Sequence, residues 1–157
     1  MRAATGGVAS SAFDEAAMLT DPIGNLSETR NFVTAAPQTS VAEAAALMLA
    51  RRVSAVLVVE RGALAGIFTE HDVVSRVIAA GHDPQRVLLS EVMTREPLTV
   101  GPQSTLGHAL VLMHGRSIRH LPIVEDGKPV GVVCARDALD PELEDFICEE
   151  RRREQFR

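Results

Sequence analysis

One internal repeat constrains the fold of this chain more than any other feature. Positions 34 to 72 align without a gap with positions 99 to 137, at a constant offset (99 minus 34), and 12 of the 39 pairs are identical. The identical pairs are Thr34/Thr99, Pro37/Pro102, Gln38/Gln103, Ala44/Ala109, Leu47/Leu112, Met48/Met113, Arg51/Arg116, Val59/Val124, Glu60/Glu125, Gly62/Gly127, Gly66/Gly131 and Asp72/Asp137. Two copies are too few for a solenoid. They suit a pseudo-symmetric pair of units that bury their apolar faces against each other.

Each copy opens with a short strand followed by a helix. An apolar strand at positions 32–34 or 98–100 stops before Pro37 or Pro102, because proline cannot continue a sheet ladder. In the first copy Ser40 and Glu43 have the spacing of a capping box. The helix behind them is alanine-rich. Its apolar face is predicted to contain Val41, Ala44, Ala45, Met48 and Leu49.

Each copy closes with a β-hairpin and a second helix. Arg61-Gly62 and Asp126-Gly127 separate β-branched runs, which is typical of tight hairpin turns. The first copy then predicts a helix over positions 70–81 that ends at Gly81. In the second copy, Asp140-Pro141 is typical of a new helix start. Ahead of the copies, Leu26-Ser-Glu and Leu89-Ser-Glu form a further similarity, at a slightly smaller offset (89 minus 26).

The phrases GIFTEHD (66–72) and GVVCARD (131–137) begin the second helix of each copy. Thr69 and Asp72 have the spacing of a capping box, which would explain the first phrase without a ligand. The same geometry suits a ligand. Free N–H groups at a helix start can hold phosphate, a hydroxyl can add a hydrogen bond, and a carboxylate can accept from ribose hydroxyls. The glycine of each phrase permits close backbone approach.

The second phrase bears on this choice. Cys134 replaces the hydroxyl cap of Thr69, but Asp137 remains. A carboxylate near a helix start still gains about 0.3–1 kcal/mol from the helix dipole, so capping and ribose recognition both stay open for this residue. The change from threonine to cysteine puts a second phosphate contact in doubt.

The quoted phrases, with VSAVLVVERGALAGIFTEHDVV, IRHLPIVEDGKPVGVVCARDAL and VMTREPLTV, resemble a tandem pair of CBS domains, also called a Bateman module. The resemblance extends over roughly residues 26 to 139. It implies a mixed α/β (α+β) fold, in which two pseudo-symmetric β-α-β-β-α repeats pack sheet to sheet and leave two clefts. Members of the family commonly bind AMP, ADP, ATP, S-adenosylmethionine or NAD(H) there, and they usually regulate rather than catalyse.

The resemblance also assigns candidate binding residues. Asp72 and Asp137 would bind ribose, and Thr69 and Cys134 would lie near phosphate. A basic residue near the second strand often meets phosphate in the family, which points to Arg52, Arg119 and His120; the alternative is that the arginines are solvated or paired at the surface. His120 would make phosphate affinity depend on pH. The adenine slot would draw on apolar strand residues, each of which could equally be sheet core. These are Phe32, Val33, Thr34, Ala55, Val56, Leu98, Thr99, Val100, Leu121 and Pro122.

Composition narrows the class of protein further. The chain has 157 residues, a net charge of −5 and neither Trp nor Tyr, which argues against a broad nucleic-acid surface. We expect no membrane partner and a cytoplasmic location, because neither an apolar span nor a secretion signal is evident. Cys134 and Cys148 make no disulfide framework, and the five histidines make no metal pattern. Redox sensing at Cys134 remains an alternative.

These observations predict a stand-alone regulatory module. Residues 1–22 would form a mobile arm or a cloning remnant, 23–82 the first repeat, 83–140 the second repeat, and 141–157 a C-terminal helix that could also dock a partner. No obligatory cofactor is expected. An adenine nucleotide or NAD(H) would be the regulatory ligand, the module would form a homodimer through its helices, and an effector protein would sense it. The alternatives are an interaction scaffold with vestigial clefts and a minor nucleotide hydrolase.

Overall fold

A computed structural model of the protein describes residues 19–135. Asp137, residues 1–18 of the predicted arm and the predicted helix over 141–157 lie outside this part of the chain. Within it the chain forms two units of the same design, one for each copy of the repeat. The strands are β1 Thr34–Ala35, β2 Ala55–Glu60, β3 Ala63–Thr69, β4 Thr94–Arg95, β5 His120–Glu125 and β6 Lys128–Cys134. The α-helices are α1 Val41–Arg51, α2 Glu70–Asp72, α3 Leu89–Val92 and α4 Leu106–Gly115, and α2 continues as a π-helical segment over Val73–Ile78.

Helix α1 begins at the predicted capping box. The Glu43 N–H donates to Ser40 Oγ at 3.2 Å, and the Ser40 N–H donates to Glu43 Oε2 at 2.9 Å. Val41, Ala44 and Met48 are buried. The prediction that Leu49 belongs to this face is wrong, because its side chain is 82% exposed. The buried stripe of α1 is therefore narrower than the apolar pattern of its sequence.

The two hairpins confirm the predicted turns. Arg61 and Gly62 have φ values of 51° and 80°, and Asp126 and Gly127 have values of 51° and 78°. Positive φ at both central residues matches the right-handed twist of the flanking strands. Both hairpins also change register at the same place, between Val58 and Val59 in the first and between Ile123 and Val124 in the second. The repeat thus extends to the irregularities of the strands.

The predicted opening strands are shorter or shifted in the structure. The first is β1, which pairs in parallel with β2 and lies beyond Phe32 and Val33. The second is reduced to one parallel bridge between Val100 and Ile123. Each lies at the edge of its sheet and has only one neighbouring strand. Before Pro37 and Pro102 the chain therefore forms only a short stretch of strand, which pairs with one neighbouring strand.

Helix α3 and strand β4 precede the second copy but complete the first unit. The Leu89 N–H donates to the Thr39 carbonyl at 2.9 Å, and the Ser90 N–H donates to the Pro37 carbonyl at 3.0 Å. Strand β4 then adds to β3 and makes a sheet in the order β1-β2-β3-β4. This fourth strand was not predicted, because its partner β3 lies far back in the chain, before two helical segments.

The segment before the first copy completes the second unit in the same manner. The Ile23 N–H donates to the Ser104 carbonyl at 2.8 Å, and the Gly24 N–H donates to the Pro102 carbonyl at 3.0 Å. Ser104 and Pro102 are the repeat partners of Thr39 and Pro37. Ile23 therefore corresponds to Leu89 in the structure, whereas the sequence similarity aligns Leu26 with Leu89.

Each unit is thus completed by the segment that precedes the other copy, residues 89–97 for the first unit and residues 19–30 for the second. We call these two the exchanged segments. Residues 19–22 belong to one of them, so they do not belong to a free arm. Leu19 packs against the core of the second unit, and Pro22 forms a bridge with Thr105. Each unit keeps a buried core between its sheet and its helices. The first core contains Val33, Val41, Ala44, Met48, Val56, Val58, Phe68, Val77, Val87, Leu89, Val92 and Met93. The second contains Ile23, Val100, Leu106, Ala109, Met113, Leu121, Ile123 and Val133.

The sheets of the two units face each other. On the side of the first sheet opposite its helices, Ala55, Leu57 and Ile67 form a smaller buried cluster. Strands β3 and β6 are in contact, and the Leu64 N–H donates to the Gly127 carbonyl at 3.0 Å. This arrangement confirms the predicted fold class of two repeats packed sheet to sheet. Ser54, next to the residue that pairs with Thr69 at the end of β3, lies 3.8 Å from Cys134 at the end of β6, so the two phrases come close to each other.

Candidate functional site

A cleft of about 1110 Å³ opens between the two units. The first copy contributes the end of β3 and the start of α2. The second copy contributes the loop before β5, the start of β5 and the end of β6. The lining residues are Ser54, Ile67, Thr69, Glu70, His71, Asp72, Thr94, Pro97, Leu98, Arg116, Ser117, Ile118, Arg119, His120, Cys134 and Ala135. A ligand held here would touch both copies of the repeat.

Asp72 is a buried carboxylate at the start of α2, with 7% of its surface exposed. Its Oδ2 accepts the Thr69 N–H at 2.9 Å and the Thr69 hydroxyl at 3.1 Å, while its own N–H donates to Thr69 Oγ1 at 3.3 Å. The capping box predicted for this phrase is therefore formed. The same bonds hold the carboxylate at the wall of the cleft, where it can accept further hydrogen bonds.

Ser54, His120 and Cys134 meet at the point where the two copies touch. Ser54 Oγ and His120 Nε2 lie 2.6 Å apart. Cys134 Sγ lies 3.6 Å from the same nitrogen and 3.8 Å from the serine oxygen. Cys134 is 8% exposed, so its sulfur is largely shielded although it lines the cleft. This cluster joins the residue before β2 to both strands of the second hairpin.

The basic and acidic side chains of the cleft come from different copies of the repeat. Arg116 and Arg119 come from the second copy, and Glu70 and Asp72 come from the first. Both arginines are exposed, so they can reorient toward a ligand. The cleft thus has a basic side opposite an acidic one. This distribution suits a molecule that presents hydroxyl groups at one end and an anionic group at the other.

The sequence profile of the CBS domain matches residues 23–79 and 89–142. The chain belongs to the CBS domain family. CBS domain-containing protein YhcV of Bacillus subtilis is 39% identical over 109 residues, which are 69% of this chain and 77% of that protein. CBS domain-containing protein CBSCBSPB2 of Arabidopsis thaliana is 42% identical over 106 residues. The match covers 64% of this chain and 20% of the plant protein, so the chain spans about a fifth of that protein's length.

Solved CBS domain structures have the same fold. An uncharacterized conserved protein from Pyrococcus horikoshii superposes with a TM-score of 0.70 at 32% identity, over 76% of this chain and 89% of that one. The CBS domain pair of protein MJ0100, solved in complex with 5′-methylthioadenosine and S-adenosyl-L-methionine, superposes with a TM-score of 0.62 at 26% identity, over 69% and 89%. An inosine-5′-monophosphate dehydrogenase of Korarchaeum cryptofilum is similar over only 24% of its length. The similarity to that enzyme is therefore confined to a minor part of it.

Five of the residues predicted to bind ribose or phosphate come together in the CBS cleft: Thr69, Asp72, Arg119, His120 and Cys134. Arg52 does not line this cleft. It is exposed at the end of α1, where its φ of 53° closes the helix. Asp137, the predicted partner of Asp72, lies outside the described residues.

Of the strand residues predicted for an adenine slot, only Leu98 lines the cleft. Val33 and Val56 belong to the first core, and Val100 and Leu121 belong to the second. Ala55 is buried in the smaller cluster, and Phe32 packs against it. Pro122 is buried in β5, and Thr34 and Thr99 are exposed. Core packing explains the apolar character of the buried members.

Several residues of the cleft were not predicted from sequence. Ser54 is the clearest case, and the repeat contains the signal that could have identified it, because Ser54 and Arg119 occupy equivalent positions in the two copies. Thr94 and Pro97 belong to the segment exchanged between units. Nothing in their local sequence indicates that they would face the first copy.

The glycines of the two phrases lie close against other parts of the chain. A Cβ at Gly66 would lie 2.8 Å from the Thr94 carbonyl oxygen, and a Cβ at Gly131 would lie 2.7 Å from the Thr29 carbonyl oxygen. The close approach expected at these positions is therefore made by the exchanged segments.

Among residues 19–135, no cluster of three His, Cys, Asp or Glu side chains could hold a metal ion. No helix in that range is long and apolar enough to cross a membrane.

Proposed function

We propose that the chain is a regulatory module that binds an adenosine-containing ligand in the cleft between its CBS repeats. One observation supports this most strongly. The buried carboxylate of Asp72 and the basic residues Arg119 and His120 line one cavity, although they come from different copies. The adenosine compounds bound by the CBS pair of protein MJ0100 support the choice of ligand class. The class comprises AMP, ADP, ATP, NAD(H) and S-adenosylmethionine.

The chemistry of each group suits a different part of such a ligand. Asp72 accepts hydrogen bonds only, and a ribose with free 2′- and 3′-hydroxyls has two donors to offer it. Arg119 suits phosphate oxygens, because donors on cationic groups form the stronger hydrogen bonds, and the His120 ring can add a hydrogen bond. Leu98, Ile118 and Ile67 provide apolar surface for a base. No step of bond making or breaking is required of any of these residues.

Regulation would follow from the position of the cleft. A ligand that contacts both units favours arrangements in which they lie close together, and a partner that distinguishes those arrangements would sense it. Ser54 and His120 already connect the units at the base of the cleft. We therefore expect the ligand to act on how tightly the units are held, and an effector protein to respond. We place this activity in the cytoplasm.

The test is a thermal melting panel with AMP, ADP, ATP, NAD(H) and S-adenosylmethionine. A ligand at 100 times its dissociation constant stabilises the folded state by about 2.7 kcal/mol. That increment raises the melting temperature of a domain of this size by about 5–11 °C. We expect at least one of the compounds to produce it. Absence of a shift with every compound would overturn the proposal and favour an interaction scaffold.

Asp72→Asn is the matched variant for this panel. Asparagine keeps an acceptor for the Thr69 N–H, so the cap is largely retained, but the second carboxylate oxygen is lost. Glu43→Gln is the control, because it makes the same change in the capping box of α1, outside the cleft. We expect the ligand-induced shift to shrink in Asp72→Asn and to stay unchanged in Glu43→Gln.

A second proposed property is that two molecules of the protein associate, which exposed apolar side chains favour. Leu49 on α1 and Val111 on α4 are 82% and 70% exposed, and Val74 and Ile78 on the second helix of the first copy are also exposed. These side chains support the expected homodimer through the helices, with the helical faces as its contact surface. Light scattering after size exclusion should give twice the chain mass, and Leu49→Gln should reduce the dimer fraction. A wild-type monomer at high protein concentration would overturn the dimer.

A further inference from the structure

Arg76 contacts two different parts of the first unit. Its Nε lies 3.4 Å from Asp72 Oδ1, one turn earlier on the same helical segment. Its Nη1 donates to the Val92 carbonyl at 3.1 Å. Val92 ends α3 and is buried in the first core. The guanidinium therefore links the cleft carboxylate to a backbone group of the exchanged segment.

These two contacts distinguish Arg76 from an ordinary surface ion pair. Arg86 and Asp83 form such a pair, at 3.7 Å, and their side chains are 89% and 54% exposed. The Arg76 and Asp72 side chains are 46% and 10% exposed. A guanidinium presents its donors in a rigid planar fork, so a bond to a buried backbone carbonyl also fixes the direction of the others. The Val92 contact thus sets the position from which Arg76 meets Asp72.

Both oxygens of the Asp72 carboxylate are consequently oriented. Thr69 holds Oδ2 through its N–H and hydroxyl, and Arg76 faces Oδ1. Each carboxylate oxygen has two lone pairs, so Oδ1 in particular keeps capacity for an incoming hydroxyl. A carboxylate that does not rotate when a diol arrives loses less conformational freedom on binding.

We propose that Arg76 is a positioning residue for ribose recognition: it holds Asp72 at the orientation in which the carboxylate accepts the ligand's hydroxyls. This inference rests on the proposed function. It also makes the two copies unequal. Position 76 of the first copy corresponds to position 141 of the second, which is proline. The first copy thus combines Thr69, Asp72 and Arg76, whereas the second has Cys134, Asp137 and Pro141 at the matching positions.

The experiment compares Arg76→Gln with Arg86→Gln by calorimetric titration of the full chain. Each variant removes one positive charge and one ion pair with a nearby aspartate. A loss of affinity that comes only from weaker attraction for the phosphate should therefore be the same in both variants. The probes are AMP and 2′-deoxy-AMP, or ATP and 2′-deoxy-ATP if the melting panel selects the triphosphate. We expect Arg76→Gln to weaken AMP about three- to tenfold. Arg86→Gln should change affinity less than about twofold.

The deoxy probe separates positioning from a structural role. If Arg76 acts through Asp72 on the ribose, the loss caused by Arg76→Gln should be smaller for 2′-deoxy-AMP than for AMP, because one of the two hydroxyls is already missing. Equal losses for both probes, or an affinity equal to that of Arg86→Gln, would overturn the inference and leave the proposed function intact. Failure of every panel compound to bind the wild type would overturn the proposed function itself, and this inference with it.

Arg76→Lys provides the second variant. Lysine keeps the charge but lacks the planar fork that reaches Asp72 and the Val92 carbonyl together. We expect an affinity for AMP between those of the wild type and Arg76→Gln, with a ligand-free melting temperature close to that of the wild type. An affinity for AMP below that of Arg76→Gln would contradict the positioning role.

Discussion

Ser54 and His120 form a hydrogen bond of 2.6 Å between the two CBS repeats. The pair breaks the pseudo-symmetry of the module. Ser54 is equivalent to Arg119, and His120 is equivalent to Ala55, so the symmetric contact would join Arg119 to Ala55. An alanine side chain cannot accept or donate a hydrogen bond. The two sides of the contact between units therefore differ in chemistry, although their backbones repeat.

Removing this bond should weaken the contact between the repeats. We expect Ser54→Ala to lower the free energy of unfolding by about 0.5–1.5 kcal/mol, the usual net contribution of one hydrogen bond. Urea denaturation of the two single variants Ser54→Ala and His120→Ala and of the double variant measures the coupling. Strictly additive effects of the two substitutions would show that the bond contributes nothing to stability.

A side chain at either phrase glycine should disturb an exchanged segment. Gly66→Ala places a Cβ against the Met93 side chain and the Thr94 carbonyl, and Gly131→Ala places one against the Thr29 carbonyl. Because backbone atoms cannot move aside as easily as a flexible side chain, we expect each variant to lose about 1–3 kcal/mol of stability in urea denaturation.

The control for these glycines is Gly115→Ala at the end of α4. A Cβ there would meet no atom within 4 Å. Alanine is also the better helix former, so stability should stay the same or rise. If Gly66→Ala were as stable as the wild type, the close approach of β4 to β3 would not contribute to stability.

Glu43 should give the protein a measurable dependence on pH. Hydrogen bonds from the Ser40 N–H and hydroxyl lower the pKa of the Glu43 carboxyl from its ordinary value of 4.5. A lowered pKa in the folded state means that the ionised form stabilises the fold above the unfolded pKa. This contribution is lost as the pH falls through the folded value.

Glu43→Gln tests that sign. Melting temperatures of the wild type and the variant, measured between about pH 3 and 7, should differ most at neutral pH and converge in acid. A constant difference across the range would contradict the role of the charge. A carbon-13 NMR titration of the Glu43 carboxyl should give a pKa below 4.5.

Features that depend on neighbouring residues were predictable from sequence. Arg61-Gly62 and Asp126-Gly127 specify their turns because few residue pairs accept positive φ twice. Ser40 with Glu43, and Thr69 with Asp72, specify helix starts because their bonds close within one turn. The repeat made these local signals stronger, because each copy supports the other at a fixed offset. Membership of the CBS family follows from the same residues.

The sequence by itself thus determined two copies of one hairpin-and-helix unit and the presence of a carboxylate at a helix start. The tertiary structure decided which segments complete which unit, that Thr69 and Asp72 share a cleft with Arg119 and His120, and that Arg76 reaches the Val92 carbonyl. It also left Leu49 in solvent. The physical reason is that these contacts join residues far apart in the chain, and their geometry depends on how two sheets meet, which no local pattern encodes.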